Sequence, residues 1–585
     1  MSANPFASDW LRAGGDDARR PRGGQSYVAG TTAEPLRFLT IPALLDRAVS
    51  RHGARDAAVF APTGERLSWH DLKRGCDDVA AGLLALGVGR GDRVGIWAPN
   101  CAEWLLVQLG SARIGAILVN INPAYRGAEL EHALKKTRCR VLVMAAALKS
   151  SDYVAMMKSL APEIETAPGG QALRLARFPD LEHIVLTGDG PRPPGMLPFR
   201  ELTALAGPAH RNRLPALCAA LDPDDAINIQ FTSGTTGLPK GATLSHYNIV
   251  NNARFSARAM RLTHEDRLCI PVPLYHCFGM VLGVLACVAT GALMVFPAPS
   301  FDAEATLRAV QAHRCTALHG VPAMFVAELA HPGFRDFDLS SLRTGIMAGA
   351  PCPIETMRRV MAEMHMNEVT IAYGMTETSP VSFQSDVDDP VQRRVSTVGR
   401  ILPHLEVKIV DERGRIVPVG RSGELCTRGY SVMLGYWDDP QATGEAIDAA
   451  GWMHSGDLAT LDADGYCNIV GRLKDMLIRG GENVFPREIE EYLYRHPKVM
   501  EAQVFGVPDP AMGEEICAWI VLKPGTSATE DEIRDFCRAQ IAHYKIPRYV
   551  RFVAELPKTV TGKPQKFAMR EAMMRELKLS EARTA

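Results

Sequence analysis

Apolar positions in the first two-thirds of the chain come in two textures. Short unbroken runs at 93–97, 117–121 and 140–145 read as buried strands, and the segments between them, 77–86, 102–114 and 127–136, carry apolar residues at helical spacing. That alternation predicts α/β layers with a largely parallel sheet. Past Gly399 the texture changes, and 406–416, 423–428 and 465–470 read as β-rich segments punctuated by Asp-Glu-Arg-Gly and Asp-Ala-Asp-Gly turns. Beyond Gly471 the pattern is α+β: helix 486–495, strands 501–507 and 516–522, helix 530–543, strand 548–553 and a last helix from Lys566. The expected architecture is a large N-terminal α/β domain of several subdomains, 31–471, joined by a hinge at 472–474 to a small mobile C-terminal α+β domain, 475–585. Residues 1–30, rich in Gly, Asp and Arg, are expected to be a flexible tail; with no apolar h-region they read as neither signal peptide nor anchor.

Composition narrows the function classes. A chain of 585 residues exceeds one ordinary core. Its 65 Lys and Arg against 66 Asp and Glu give no bulk field for nucleic acid or anionic membrane, so a phosphate-bearing ligand must be held locally. The 13 cysteines are scattered with no Cys-x-x-Cys, which points away from a disulfide framework and from a zinc site, and towards a reducing cytoplasm. No charge interrupts 280–296, a run approaching the length of a membrane span, yet Gly283, Thr290 and Gly291 punctuate it. A buried helix followed by a buried strand at 292–296 is expected there, and no membrane span.

The strongest chemical signal lies at 232–241. A buried strand, 226–231, runs into Thr232-Ser233-Gly234-Thr235-Thr236-Gly237-Leu238-Pro239-Lys240-Gly241. The glycines let backbone N–H groups turn towards an anion, the hydroxyls add donors and Lys240 adds charge. Gly follows Lys240, so this is not a Walker A loop. By composition alone the segment reads equally as a Ser/Thr/Gly-rich hairpin. Gly349-Ala350-Pro351 ends the strand-like 344–348, and Tyr373-Gly374-Met375-Thr376-Glu377-Thr378 ends 369–372, strand ends being where α/β sheets place ligands. Gly87-Val88-Gly89-Arg90-Gly91-Asp92 fails as a dinucleotide loop because it follows a helix and precedes a strand. Neither His-Glu-x-x-His nor Gly-x-Ser-x-Gly occurs.

The string TSGTTGLPKG closely resembles the phosphate-loop signature of the adenylate-forming superfamily, which includes acyl-CoA synthetases, firefly luciferase and adenylation domains. Further signatures follow in order, and the likeness runs from about Ile41 to Glu576. The resemblance implies that Thr232, Ser233, Gly234, Thr235, Thr236, Gly237 and Lys240 wrap the ATP phosphates. It implies that Gly349, Ala350 and Pro351 border adenine, that Tyr373 stacks on it and that Gly374 and Met375 belong to the nucleotide-binding set. Thr376 is implied to touch phosphate and Glu377 to hold Mg²⁺. In Trp452-Met453-His454-Ser455-Gly456-Asp457 the aspartate is implied to grip the ribose. Gly471-Arg472-Leu473-Lys474-Asp475 resembles the hinge, with Arg472 on the nucleotide and Lys474 as the backbone pivot. Pro557-Lys558-Thr559-Val560-Thr561-Gly562-Lys563 resembles the catalytic-lysine loop, with Lys563 the catalytic cation. Gly480 and Gly481, in Arg479-Gly480-Gly481-Glu482-Asn483, resemble the loop lining the CoA pantetheine channel.

The implied reaction is an ATP-dependent fatty acid–CoA ligation: an acyl-adenylate forms with release of pyrophosphate, then a thioester with release of AMP. The segment Pro273-Leu274-Tyr275-His276-Cys277-Phe278-Gly279-Met280 resembles the border of the acyl pocket, which His276, Phe278 and Val321 are expected to line. No Asp occurs between Val272 and Phe301, which disfavours an amino acid. Asn120-Ile121-Asn122-Pro123-Ala124-Tyr125 and Thr378-Ser379-Pro380-Val381-Ser382-Phe383 resemble medium- to long-chain fatty acyl-CoA synthetases. The alternatives are a stand-alone enzyme loading a carrier protein, a CoA ligase for an aryl or short-chain acid, and a nucleotide-binding protein without catalysis. A homodimer is left open.

Overall fold

In the computed structural model, the described residues are 19–188, 190–232, 239–350, 352–479, 482–509, 512–538, 540–559, 562 and 564–579. Among them the strands build two large sheets, two five-stranded sheets and a two-stranded ribbon. The first large sheet has eight strands. Its parallel centre, Val141–Met144, Arg93–Trp97, Ile117–Asn120 and Ala226–Thr232, continues antiparallel into Lys240–Ser245 and Gly435–Tyr436. The second has nine strands, with Arg267–Cys269, Ala317–Gly320, Thr344–Ala348 and Glu368–Gly374 parallel and Val381–Gln384 turning back antiparallel. The central strands are covered on both faces, which is why most of their positions are apolar and buried.

Helices follow the expected segments, with boundaries set by caps. The segment expected at 77–86 begins earlier, as Trp69–Ala85. Ser68 Oγ accepts from the Asp71 N–H while the Asp71 carboxylate accepts from the Ser68 N–H, a capping box placed ahead of the apolar face. Leu72, Cys76, Val79 and Leu83 form that buried face. The uncharged run becomes a π-helix, Phe278–Leu285, then helix Ala286–Thr290 and strand Leu293–Phe296. No helix of the described residues is long and apolar enough to cross a membrane.

The expected tail needs correction. Tyr27–Ala29 is a strand pairing antiparallel with Leu405–Val410, and Ser26 donates from its backbone to Val417 O at 2.8 Å. The unpaired edge of the β-rich segment supplies backbone partners that a tail composition does not reveal. Residues 1–18 lie outside the described residues.

The last sheet is drawn wholly from 477–552, with Gly513–Leu522 flanked by Leu477–Arg479, Val499–Asp509 and Tyr549–Phe552. It packs apolar clusters of its own around Leu477, Ile489 and Ile520 and around Phe505, Leu556 and Met569. Helix Glu530–Arg538 ends sooner than expected, at a turn leading to His543–Lys545.

Candidate active site

The ends of the expected phosphate loop form a hairpin. Thr232 and Lys240 are cross-strand partners closing the antiparallel pair, and 233–238 lie outside the described residues. Directly beside this hairpin is the Thr376–Thr378 turn, which follows strand Glu368–Gly374. Glu377, 5% exposed, accepts on Oε1 from Thr232 Oγ1 at 3.1 Å and from Tyr436 Oη at 2.9 Å. Both hydroxyls take the same oxygen, Oε1. Burial and Glu377 hold the Tyr436 phenol well above its ordinary pKa, so it remains a proton donor. Lys240 Nζ lies 5.1 Å from the centroid of the Tyr436 ring. Tyr436 was not singled out in the sequence. Its place depends on strand Gly435–Tyr436 pairing with Ala242 and Thr243, almost 200 positions away, and no local signal marks it.

The second group sits on the β-rich sheet. Asp457 and Arg472 are cross-strand partners, and Asp457 Oδ1 accepts from Arg472 Nε at 2.9 Å. Asp457 Oδ2 accepts from Tyr373 Oη at 2.6 Å, tying this sheet to the strand end carrying Gly374 and Met375. The turn is braced by Ser455, whose Oγ donates to Leu425 O at 2.6 Å and accepts from the Asp457 N–H at 3.1 Å. Burial and the neighbouring Asp457 raise the Tyr373 phenol far above its usual range, leaving it a donor.

The expected acyl segment reaches the first group through Cys277, whose Sγ is 3.8 Å from Thr376 Oγ1. His276 is half-buried and accepts on Nδ1 from the Phe278 N–H at 3.1 Å. Phe278 packs 5.3 Å from the His319 ring. His319 donates from Nε2 to Leu282 O at 3.1 Å and accepts on Nδ1 from the Ile346 N–H at 3.2 Å, which fixes the neutral tautomer. Burial pushes this imidazole down to about 4. Val321, 5% exposed, follows the His319 strand. Beneath the segment lies a buried amide ladder that apolar patterning hides. Gln230 Nε2 donates to Asn228 Oδ1 at 2.8 Å, Asn228 Nδ2 to Asn120 Oδ1 at 2.9 Å, and Asn120 Nδ2 to Tyr275 O at 2.9 Å. A polar chain with each donor satisfied fixes the backbone it meets.

The C-terminal sheet brings its lysine loop to the same place. A Cβ built on Gly562 would lie 2.9 Å from Val321 Cγ2, and one on Gly349 would lie 3.2 Å from Val321 Cγ1. The loop neighbouring Lys563 therefore abuts the residue shared by the expected acyl wall and the Gly349–Ala350 turn. Arg487 Nη1 donates to Ile469 O at 2.6 Å, and Lys558 pairs with Glu501 at 2.6 Å rather than with the site. Lys474 belongs to the short 3₁₀ turn Leu473–Asp475. Pro351, Gly480, Gly481 and Lys563 lie outside the described residues, as do Ser233, Gly234, Thr235, Thr236 and Gly237.

Comparison with known proteins identifies the family. Residues 45–437 match the AMP-binding enzyme family and 488–563 match the AMP-binding enzyme C-terminal domain. The chain is 49% identical over 545 residues to the putative acyl-CoA synthetase YngI of Bacillus subtilis, covering 93% of this chain and 98% of that protein. It is 45% identical over 565 residues to the mitochondrial medium-chain acyl-CoA ligase ACSF2 of Homo sapiens, covering 96% and 91%. Among solved structures, the anthranilate CoA ligase AuaEII in complex with anthranoyl-AMP superposes with a TM-score of 0.81 at 28% identity, covering 94% of this chain and 99% of that one. ATP-bound MatB from Rhodopseudomonas palustris gives 0.77 at 28% identity, covering 92% and 100%. With both family models matched in order along the chain and relatives 45–49% identical over more than nine-tenths of it, the chain belongs to the AMP-binding enzymes, the adenylate-forming superfamily.

Proposed function

We infer that this enzyme is an ATP-dependent acyl-CoA ligase acting on a medium-chain fatty acid. The observation that carries the adenylating half is Glu377 held against the phosphate hairpin by Thr232, with Asp457, Arg472 and Tyr373 interlocked beside it. Lys240 and the hairpin N–H groups are proposed to bind the phosphates, and Asp457 the ribose hydroxyls. Glu377 fits a hard cation: it is an oxygen donor with Oε1 already oriented, few other protein ligands are needed, and phosphate oxygens complete the set. Magnesium bound there would neutralise charge on the phosphates. The substrate carboxylate then attacks the α-phosphate with Lys563 nearby, and pyrophosphate leaves. Rotation of 475–585 about Lys474 is proposed to withdraw Lys563 and present Gly480 and Gly481 to CoA, whose thiol attacks the mixed anhydride.

The chain-length reading is supported by relatives 45–49% identical, several of them named medium-chain acyl-CoA ligases, and by apolar Phe278, Val321, Met324 and Phe325. An acid panel tests it, scored for both pyrophosphate and CoA thioester. With saturated acids, kcat/KM should rise about fourfold per added CH₂, from about 0.8 kcal/mol of burial each, and level off at medium length. A maximum on benzoate would establish the aryl alternative, and pyrophosphate without thioester would point to a carrier-protein acceptor. All 13 cysteines are free thiols, which supports a reducing compartment; cytoplasm is the proposed one.

Tyr436 gives a separate test. Tyr436→Phe keeps the ring under Lys240 but removes one of the two hydroxyls orienting Glu377. Half-maximal pyrophosphate release should need roughly tenfold more free Mg²⁺, from the loss of one hydrogen bond to a charged group, with the melting temperature little changed. An unchanged Mg²⁺ requirement would remove Glu377 from the cation site.

A further inference from the structure

Away from the Glu377 oxygen site, two neighbouring strands of the β-rich sheet bring together a thiol, an imidazole and a carboxylate. Glu424 and Cys426 stand two positions apart on strand Gly423–Gly429 and share a face. His454, on strand Met453–Leu461, is the cross-strand partner of Cys426. Their ligating atoms all lie within 4.8 Å of one another. His454 Nδ1 is 2.9 Å from Glu424 Oε2 and 3.5 Å from Cys426 Sγ. Zinc bonded tetrahedrally to sulfur at about 2.3 Å and nitrogen at about 2.05 Å separates those two atoms by about 3.6 Å. The sulfur–nitrogen edge is thus already at its liganded length, and the oxygen–nitrogen edge needs to open by a few tenths of an ångström.

We propose that Cys426 Sγ, His454 Nδ1 and Glu424 Oε2 bind one zinc ion, with water as the fourth ligand. A thiolate, an imidazole and a single carboxylate form a donor set for zinc rather than for magnesium. The surroundings are those of a held site. Glu424 Oε1 accepts from the Gly456 N–H at 3.1 Å, leaving Oε2 towards the histidine. Asp448 Oδ2 lies 3.8 Å from His454 Nε2, on the far side of the ring from the cluster, the place of a carboxylate that orients a ligating histidine. Asp448 is itself fixed by the N–H groups of Ala450 and Trp452, both at 2.9 Å, and Lys408 Nζ stands 4.0 Å from it. His454 and Glu424 remain partly exposed, which leaves an entry path, whereas Cys426 is fully buried.

Burial and the adjacent Glu424 push the Cys426 thiol up to about 12, so without metal it stays protonated. Binding breaks the S–H bond, the sulfur lone pair goes to zinc and the proton goes to water, one per ion. The ion would clamp Gly423–Gly429 to Met453–Leu461 three residues before Asp457, stiffening the turn that carries the proposed ribose ligand.

The test uses chelator-treated, nucleotide-free, full-length protein, titrated with Zn²⁺ alone and, in parallel, with Co²⁺ as a spectroscopic probe. One equivalent of Zn²⁺ should bind with release of a thiol proton, and Co²⁺ should show thiolate-to-metal charge transfer. Cys426→Ser should abolish that absorption and weaken Zn²⁺ at least about tenfold, and Asp448→Asn should weaken it about tenfold by freeing the histidine ring. Should Cys426→Ser fail to fold, His454→Gln, at a partly exposed position, should likewise weaken Zn²⁺ at least about tenfold. No stoichiometric uptake by the unsubstituted protein would overturn the assignment, as would uptake and absorption unchanged in both ligand variants.

Discussion

Lys563→Ala should cut acid-dependent pyrophosphate release by about a thousandfold or more, roughly 4 kcal/mol, while thioester formation from supplied acyl-AMP stays within about threefold. The reason is electrostatic. In the first half-reaction a carboxylate approaches an anionic phosphorus centre, and a cation aimed at the developing charge stabilises the transition state more than the ground state. In the second, a thiol attacks a carbonyl and AMP leaves, with the lysine proposed to have turned away. Lys563 lies outside the described residues, but Gly562 abuts Val321, which also faces Gly349, so the loop arrives where acyl group and nucleotide are proposed to meet. Lys558, the other lysine of the motif, is occupied by Glu501 at 2.6 Å, so Lys558→Ala should leave the first half-reaction within severalfold of normal. Equal losses in both half-reactions of Lys563→Ala would refute the assignment.

Local patterning carries the elements and the order of the motifs further than it carries their contacts. Strand Thr344–Ala348 and helix Lys566–Glu576 stand where their apolar spacing puts them, because each is decided by burial along a few consecutive residues. The Phe278–Leu285 segment was legible as a buried helix but not as a π-helix, since a segment apolar on every side has no periodicity to measure. Asp457 and Arg472 were each legible as site residues, yet their mutual bond exists only through the pairing of two strands. Tyr436, His319 and the Asn120–Asn228–Gln230 ladder were not legible at all. Tyr436, His319 and Asn120 act through partners 27 to 160 positions away, and an asparagine inside an apolar strand carries no mark of what it will bond. The strand Tyr27–Ala29 was hidden for the converse reason: its composition is that of a tail, and its order comes from the edge it completes.

Asp457→Ala should lower kcat/KM for ATP about a hundred- to a thousandfold, mostly through KM, and the ribose hydroxyls distinguish why. Asp457 is 6% exposed, with Oδ1 on Arg472 and Oδ2 on Tyr373. A carboxylate so placed has lone pairs left for two ribose O–H donors, and charge-assisted bonds of that kind are worth about 1.5–3 kcal/mol each. Loss of the carboxylate also leaves Arg472 and the Tyr373 hydroxyl without this partner. The Arg472 side chain is 37% exposed, so solvent screens it and the stability cost should be only about 1–2 kcal/mol in urea unfolding. Reorganisation of Arg472 and Tyr373 would also weaken ATP, so the KM alone does not separate gripping the ribose from positioning these neighbours. A double cycle with 2′,3′-dideoxy-ATP does. If Asp457 grips the ribose, the unsubstituted enzyme should lose about a hundredfold on the dideoxy nucleotide and Asp457→Ala almost nothing further. If the two losses instead multiply, Asp457 acts only by holding Arg472 and Tyr373, and the ribose ligand must be sought elsewhere.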